Sequence, residues 1–106
     1  MTDMYNTNLD KNYANFTPLS PLSFLQRSAE VYPNRKSIVH GSKSYTWSDT
    51  FKRSKQLASA LTKKGVGKGD TVAVLCFNTP EIYEAHYGIP MTGAILNTIN
   101  IRLDVD

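Results

Sequence analysis

An α/β fold built on a parallel strand pair is what this sequence predicts, and three stretches carry the prediction. Thr71 to Phe77 (TVAVLCF) is a continuous apolar run, rich in β-branched residues, of the kind a parallel strand covered on both faces shows. Asn78-Thr79-Pro80-Glu81 follows as a helix start, with a polar cap, a proline where the missing N–H costs nothing, and an acid near the positive end of the helix dipole. Ala94 to Thr98 reads as a second parallel strand, so the unit is strand, crossover helix, strand.

The remaining elements follow from local signals. Residues 1–16 form a loose lead-in, because Met1 to Asn15 carries four asparagines and no apolar periodicity. Ser20-Pro21 then caps a helix running from about Pro21 to Val31, with Leu22, Leu25, Ala29 and Tyr32 along one line and Pro33-Asn34 as its stop. Lys36 to His40 and Ser44 to Thr46 flank Gly41-Ser42-Lys43 as a short β-hairpin. Thr46-Trp47-Ser48-Asp49 approximates a capping box for a second helix whose apolar face is Phe51, Ser54, Leu57, Ala58 and Leu61. The glycines at 65, 67 and 69 close that helix and turn the chain into the first parallel strand. On the crossover helix, Ile82, Ala85, His86 and Ile89 share a face, and Pro90 kinks or ends it.

Composition excludes several classes. The chain has 106 residues, 41% of them hydrophobic, which suffices for a packed core, and a net charge of +3 from 12 basic and 9 acidic residues. A single cysteine, Cys76, rules out an internal disulfide, and its place in the apolar run predicts a buried thiol acting as a small hydrophobe. His40 reads as an exposed strand-end residue and His86 as a core or boundary one, too far apart in sequence to support a metal site. Lys52, Arg53, Lys55, Lys63, Lys64 and Lys68 form a basic stretch without acids, but no aromatic platforms interleave it, so a solvated helix face is expected rather than a nucleic-acid surface. Gly65 to Asp70 is no phosphate loop, since its glycines follow a helix and precede a strand, and Lys68 is followed by Gly69. Asn78 and Thr79 start a helix at the carboxyl end of a parallel strand, where open α/β sheets place ligands; helix capping accounts for them equally well. With no apolar run near the ~20 residues of a membrane span and no signal-peptide pattern, a cytoplasmic location is the default expectation.

Two parallel strands leave their edges unpaired. Ordering the seven residues Thr71 to Phe77 costs about 7 to 14 kcal/mol of backbone entropy. Burying Val72, Val74, Leu75 and Phe77 returns about 6 to 12 kcal/mol. The strand is thus expected to be favourable only inside a larger sheet, which makes this chain a piece of a longer α/β protein.

The ordered series Tyr45-Thr46-Trp47, Leu57-Ala58 with Leu61, Gly65-Val66-x-Lys68-Gly69-Asp70-x-Val72-Ala73-Val74, Asn78-x-Pro80-Glu81, Gly93-Ala94-Ile95-Leu96-Asn97 and Asn100-x-Arg102-Leu103 resembles the start of an AMP-forming acyl-CoA synthetase. The resemblance spans roughly Leu22 to Asp104 and sits nearest the branch handling short and medium fatty acids or methylthiopropionate-type acids. It implies that residues 17–106 begin the large AMP-binding domain of an adenylate-forming enzyme. It also implies a two-step ligation, in which ATP and a carboxylic acid give an acyl-adenylate and pyrophosphate, and coenzyme A then gives the thioester and AMP, with Mg2+ assisting the first step. The family's phosphate loop, adenine and ribose contacts and mobile C-terminal lysine all lie downstream of such a segment. No catalytic, cofactor-binding or metal residue is therefore assigned within residues 1–106, no ligand is expected on this segment alone, and Asn100 and Arg102 are landmarks that hold the chain around the second strand. Two other readings compete: a small standalone α/β interaction module, and nucleic-acid binding through Lys52 to Lys68. A reading frame continuing past Asp106 into a Thr/Ser/Gly-rich loop would favour the ligase over the module.

Overall fold

A computed structural model describes residues 5, 7–14 and 16–103. Parts of the predicted lead-in (residues 1–4, 6 and 15) and the end of the family resemblance at Asp104 lie outside the described residues. In chain order the elements are α1 (Pro21–Val31), β1 (Lys36–His40), β2 (Lys43–Thr46), α2 (Trp47–Lys63), β3 (Thr71–Leu75), α3 (Pro80–Met91) and β4 (Ile95–Ile99). They form an antiparallel hairpin, β1–β2, and a separate parallel pair, β3–β4, joined through α3.

Local chemistry sets the ends of these elements. The Ser20 hydroxyl accepts the Leu22 N–H at the start of α1. At α2 the capping box closes in both directions: Thr46 Oγ1 accepts the Asp49 N–H, and Asp49 Oδ2 accepts the Thr46 N–H. Aspartate performs the task usually given to glutamate, and these bonds hold its carboxyl below the ordinary carboxylate range. The helix ends in a Schellman motif, with Val66 N–H reaching Leu61 O and Gly65 N–H reaching Thr62 O. Gly65 has φ +88°, which a side chain would strain.

The hairpin turn is tighter than predicted. His40 pairs with Lys43, leaving Gly41-Ser42 as a two-residue loop with Gly41 at φ +59°. A bulge inserts Ser37 between the Lys36–Thr46 and Ile38–Tyr45 pairs. The Ser37 hydroxyl accepts a 2.8 Å hydrogen bond from Thr50, which α2 buries completely.

The core lies between the helices and one face of the parallel pair. Ala85, Ile89 and Ala94 are buried, and Leu57, Leu61, Val66, Val72, Val74 and Leu96 pack around them. Leu25 brings α1 into the assembly at 1% exposure. Gly88 lets α3 approach α2: a Cβ there would stand 2.9 Å from the Ser54 carbonyl oxygen and 2.8 Å from Leu57 Cδ2.

Several expectations need correction. The run Thr71 to Phe77 is covered on one face only: Val72 and Val74 turn inward, whereas Leu75 is 67% and Phe77 71% exposed. Leu57 and Leu61 of α2 and Ala85 and Ile89 of α3 pack on the inner face, and the outer residues Leu75, Ile95 and Ile99 are exposed among the described residues. Cys76 falls one residue beyond β3 and is half-buried rather than enclosed. His86 is exposed, because the inward stripe of α3 is Glu84, Ala85, Gly88 and Ile89. Pro90 stays inside α3, which ends at Met91, and β4 is shifted one residue along from the predicted Ala94 to Thr98.

Candidate functional site at the carboxyl ends of the parallel strands

In a strand-helix-strand unit the carboxyl ends of the strands and the start of the crossover helix converge, and a ligand site is sought there first. The start of α3 is already satisfied from within the chain. Thr79 takes the N-cap position without a side-chain bond to a helical N–H, and its Oγ1 lies 3.4 Å from Cys76 Sγ. The Glu81 carboxylate is held below its ordinary value by a hydrogen bond from its own backbone N–H and another from the Thr79 side chain. The positive end of α3 thus has a resident anion, and the Thr79 hydroxyl holds that carboxylate rather than capping a helical N–H.

Two clefts flank the first turns of α3. One, of about 600 Å³, lies against β1 and includes His40, Tyr83, His86 and Tyr87. The other, of about 920 Å³, opens at the ends of β3 and β4 and is lined by Cys76, Asn78, His86, Thr98, Asn100 and Arg102 among others. Asn78, Ile82 and His86 face both. His86 Nδ1 is 2.7 Å from the Ile82 carbonyl; since a carbonyl only accepts, Nδ1 carries the proton, and Nε2 is the nitrogen left for other partners. The Tyr83 and Tyr87 rings meet edge to face at 5.4 Å, and burial, with the Tyr87 hydroxyl beside it, pushes the Tyr83 phenol up to about 12. Tyr83 is therefore neutral near pH 7 and no base.

The landmark residues sit at the lip of the larger cleft. Asn100 Oδ1 accepts the Arg102 N–H at 2.9 Å, and both residues are exposed just past β4. Of the basic stretch, Lys52, Lys55, Lys63, Lys64 and Lys68 are exposed, as a solvated face requires. Lys55 lies over the Phe51 ring and Arg53 over the Tyr45 ring.

This arrangement does not fit Mg2+-ATP by itself. No carboxylate lines the larger cleft, and the described residues hold no group of three or more His, Cys, Asp or Glu able to take a metal ion. The glycine turns are at the wrong end. Gly65, Gly67 and Gly69 precede β3 and Gly93 precedes β4, and a Cβ on Gly93 would stand 3.4 Å from the Lys68 nitrogen. They gather at the amino ends of the strands, opposite the clefts. No step through the metal is assigned to these residues.

Sequence reasoning missed the main polar link between the helices. Arg53 on α2 and Glu84 on α3, 31 residues apart, form an ion pair in which the glutamate is 7% exposed. No direct signal for it stands in the sequence, because the apolar face read from spacing, Ile82, Ala85, His86 and Ile89, leaves Glu84 outside. Only packing puts the glutamate on the buried stripe, where it needs a partner.

Comparison with known proteins completes the description. The family model described as AMP-binding enzyme matches residues 25–106. A peroxisomal acetate/butyrate–CoA ligase of Arabidopsis thaliana is 54% identical over 96 residues, covering 91% of this chain and 17% of the relative. An acetate–CoA ligase of Humulus lupulus is 53% identical over the same length, again covering 91% and 17%. Among solved structures, the O-succinylbenzoate coenzyme A synthetase of Bacillus subtilis in complex with ATP and magnesium superposes with a TM-score of 0.71 at 28% identity, covering 76% of this chain and 22% of that one. The chain thus spans about a sixth of the length of these curated relatives. The cytoplasmic default does not stand, because four matched relatives from Arabidopsis thaliana are peroxisomal by name. Peroxisomal addresses are short receptor-read sequences, so hydropathy could not have revealed one.

Proposed function

We propose a function from one premise: the chain belongs to the AMP-binding enzyme family. It is the N-terminal part of an acid–thiol ligase, with residues 1–16 as a lead-in and residues 17–106 as the beginning of the large AMP-binding domain. The complete enzyme activates a short carboxylic acid with ATP, releasing pyrophosphate and forming an acyl-adenylate. The coenzyme A thiol then attacks the acyl carbon, giving the thioester and AMP. The observation that carries this reading is the 54% identity over 96 residues with an acetate/butyrate–CoA ligase. We place the enzyme in the peroxisome, following the names of four Arabidopsis thaliana relatives.

Within that enzyme the segment is scaffold. The β3–α3–β4 unit contributes a wall at the carboxyl ends of its strands, while the groups that hold ATP, Mg2+ and coenzyme A and that select the acid come from outside it. Fatty-acid metabolism follows as its setting if the acid is aliphatic. The test is ATP–pyrophosphate exchange by the full-length protein carrying this segment, across acetate, butyrate and longer or aromatic acids. Exchange driven by a short aliphatic acid, with thioester appearing on addition of coenzyme A, is expected. No exchange with any carboxylate would overturn the reading, as would ligase activity from residues 1–106 alone.

A further inference from the structure

We draw no further inference here: the strongest candidate, the cleft at the carboxyl ends of β3 and β4 where Asn78, His86 and Arg102 meet the start of α3, lies beside the uncovered apolar face of the same sheet, and nothing in the structure shows what covers either.

Discussion

Arg53 on α2 grips both carboxylate oxygens of Glu84 on α3, Nε to Oε1 and Nη2 to Oε2, while its guanidinium lies 4.5 Å from the centre of the Tyr45 ring. One side chain therefore ties the hairpin, the second helix and the crossover helix together, and the two partners are unequal. Glu84 is 7% exposed, whereas Arg53 keeps 35% of its surface in water.

That inequality predicts asymmetric mutants. Arg53→Ala leaves a buried carboxylate unpaired and should cost about 3 kcal/mol. Glu84→Ala frees an arginine that can turn to solvent and should cost about 1 to 2 kcal/mol. Denaturant unfolding of the two variants in the full-length protein checks the order; equal losses would mean that Glu84 is not the buried partner.

Gly88→Ala should destabilise despite better helix propensity. Alanine gains about 1 kcal/mol over glycine in a helix interior. The new Cβ, however, would meet the Ser54 carbonyl at 2.9 Å, and backbone cannot move aside as a side-chain tip can. Overpacking of this kind costs about 1 to 3 kcal/mol before the propensity gain is subtracted. A variant with a raised thermal midpoint would show that the helices do not approach this closely.

The capping box sets a pH dependence at the start of α2. Because the folded Asp49 carboxyl is held below its ordinary value of 3.8, the stability it contributes is present above that value and lost as pH falls through the folded one. Thr46→Ala removes the other half of the box and should cost about 1 kcal/mol. In an NMR titration, Asp49 should protonate below 3.8 in the parent and closer to that value in Thr46→Ala; identical midpoints would refute the coupling.

Tyr83 gives the alkaline counterpart. Its phenol is raised from 10.0 to about 12, so its contribution is full below 10 and disappears as pH rises towards the folded value. Ultraviolet titration should show one tyrosine ionising late, and Tyr83→Phe should remove that step. Persistence of the late step in Tyr83→Phe would assign it elsewhere.

The open face of the parallel pair predicts poor behaviour of residues 1–106 in isolation. Leu75, Ile95 and Ile99 line up outward on paired strands, with Phe77 71% exposed just beyond. The burial that would offset the ordering of the strand is thus only partly realised. The isolated segment should be aggregated or molten, and Leu75→Thr with Ile95→Thr should raise its solubility. A monodisperse parent with a sharp cooperative melt would contradict this.

Much of the fold was legible because its signals are short-ranged. The α1 boundaries follow from Ser20-Pro21 and Pro33; the capping box needs only Thr46 and Asp49; the Schellman ending follows from Gly65 after an amphipathic helix. The misplaced residues were those whose environment depends on distant chain. Cys76 was placed inside the strand and His86 on the core face, because an apolar run and a three-to-four spacing report a demand for burial without saying which side receives it.

By itself, then, the sequence determined the identity and order of the elements, the parallel crossover and the family, since caps, turns and periodicity act within a few residues and the motif series is read along the chain. Tertiary structure alone decided that Arg53 meets Glu84, that Gly88 is where two helices touch, that the glycine turns lie opposite the clefts, and that among the described residues only one face of the parallel pair is covered. The physical reason is range. A hydrogen bond to a neighbour's N–H can be written in four residues, whereas a buried charge or a helix contact is settled only when packing chooses among all the partners the chain could offer.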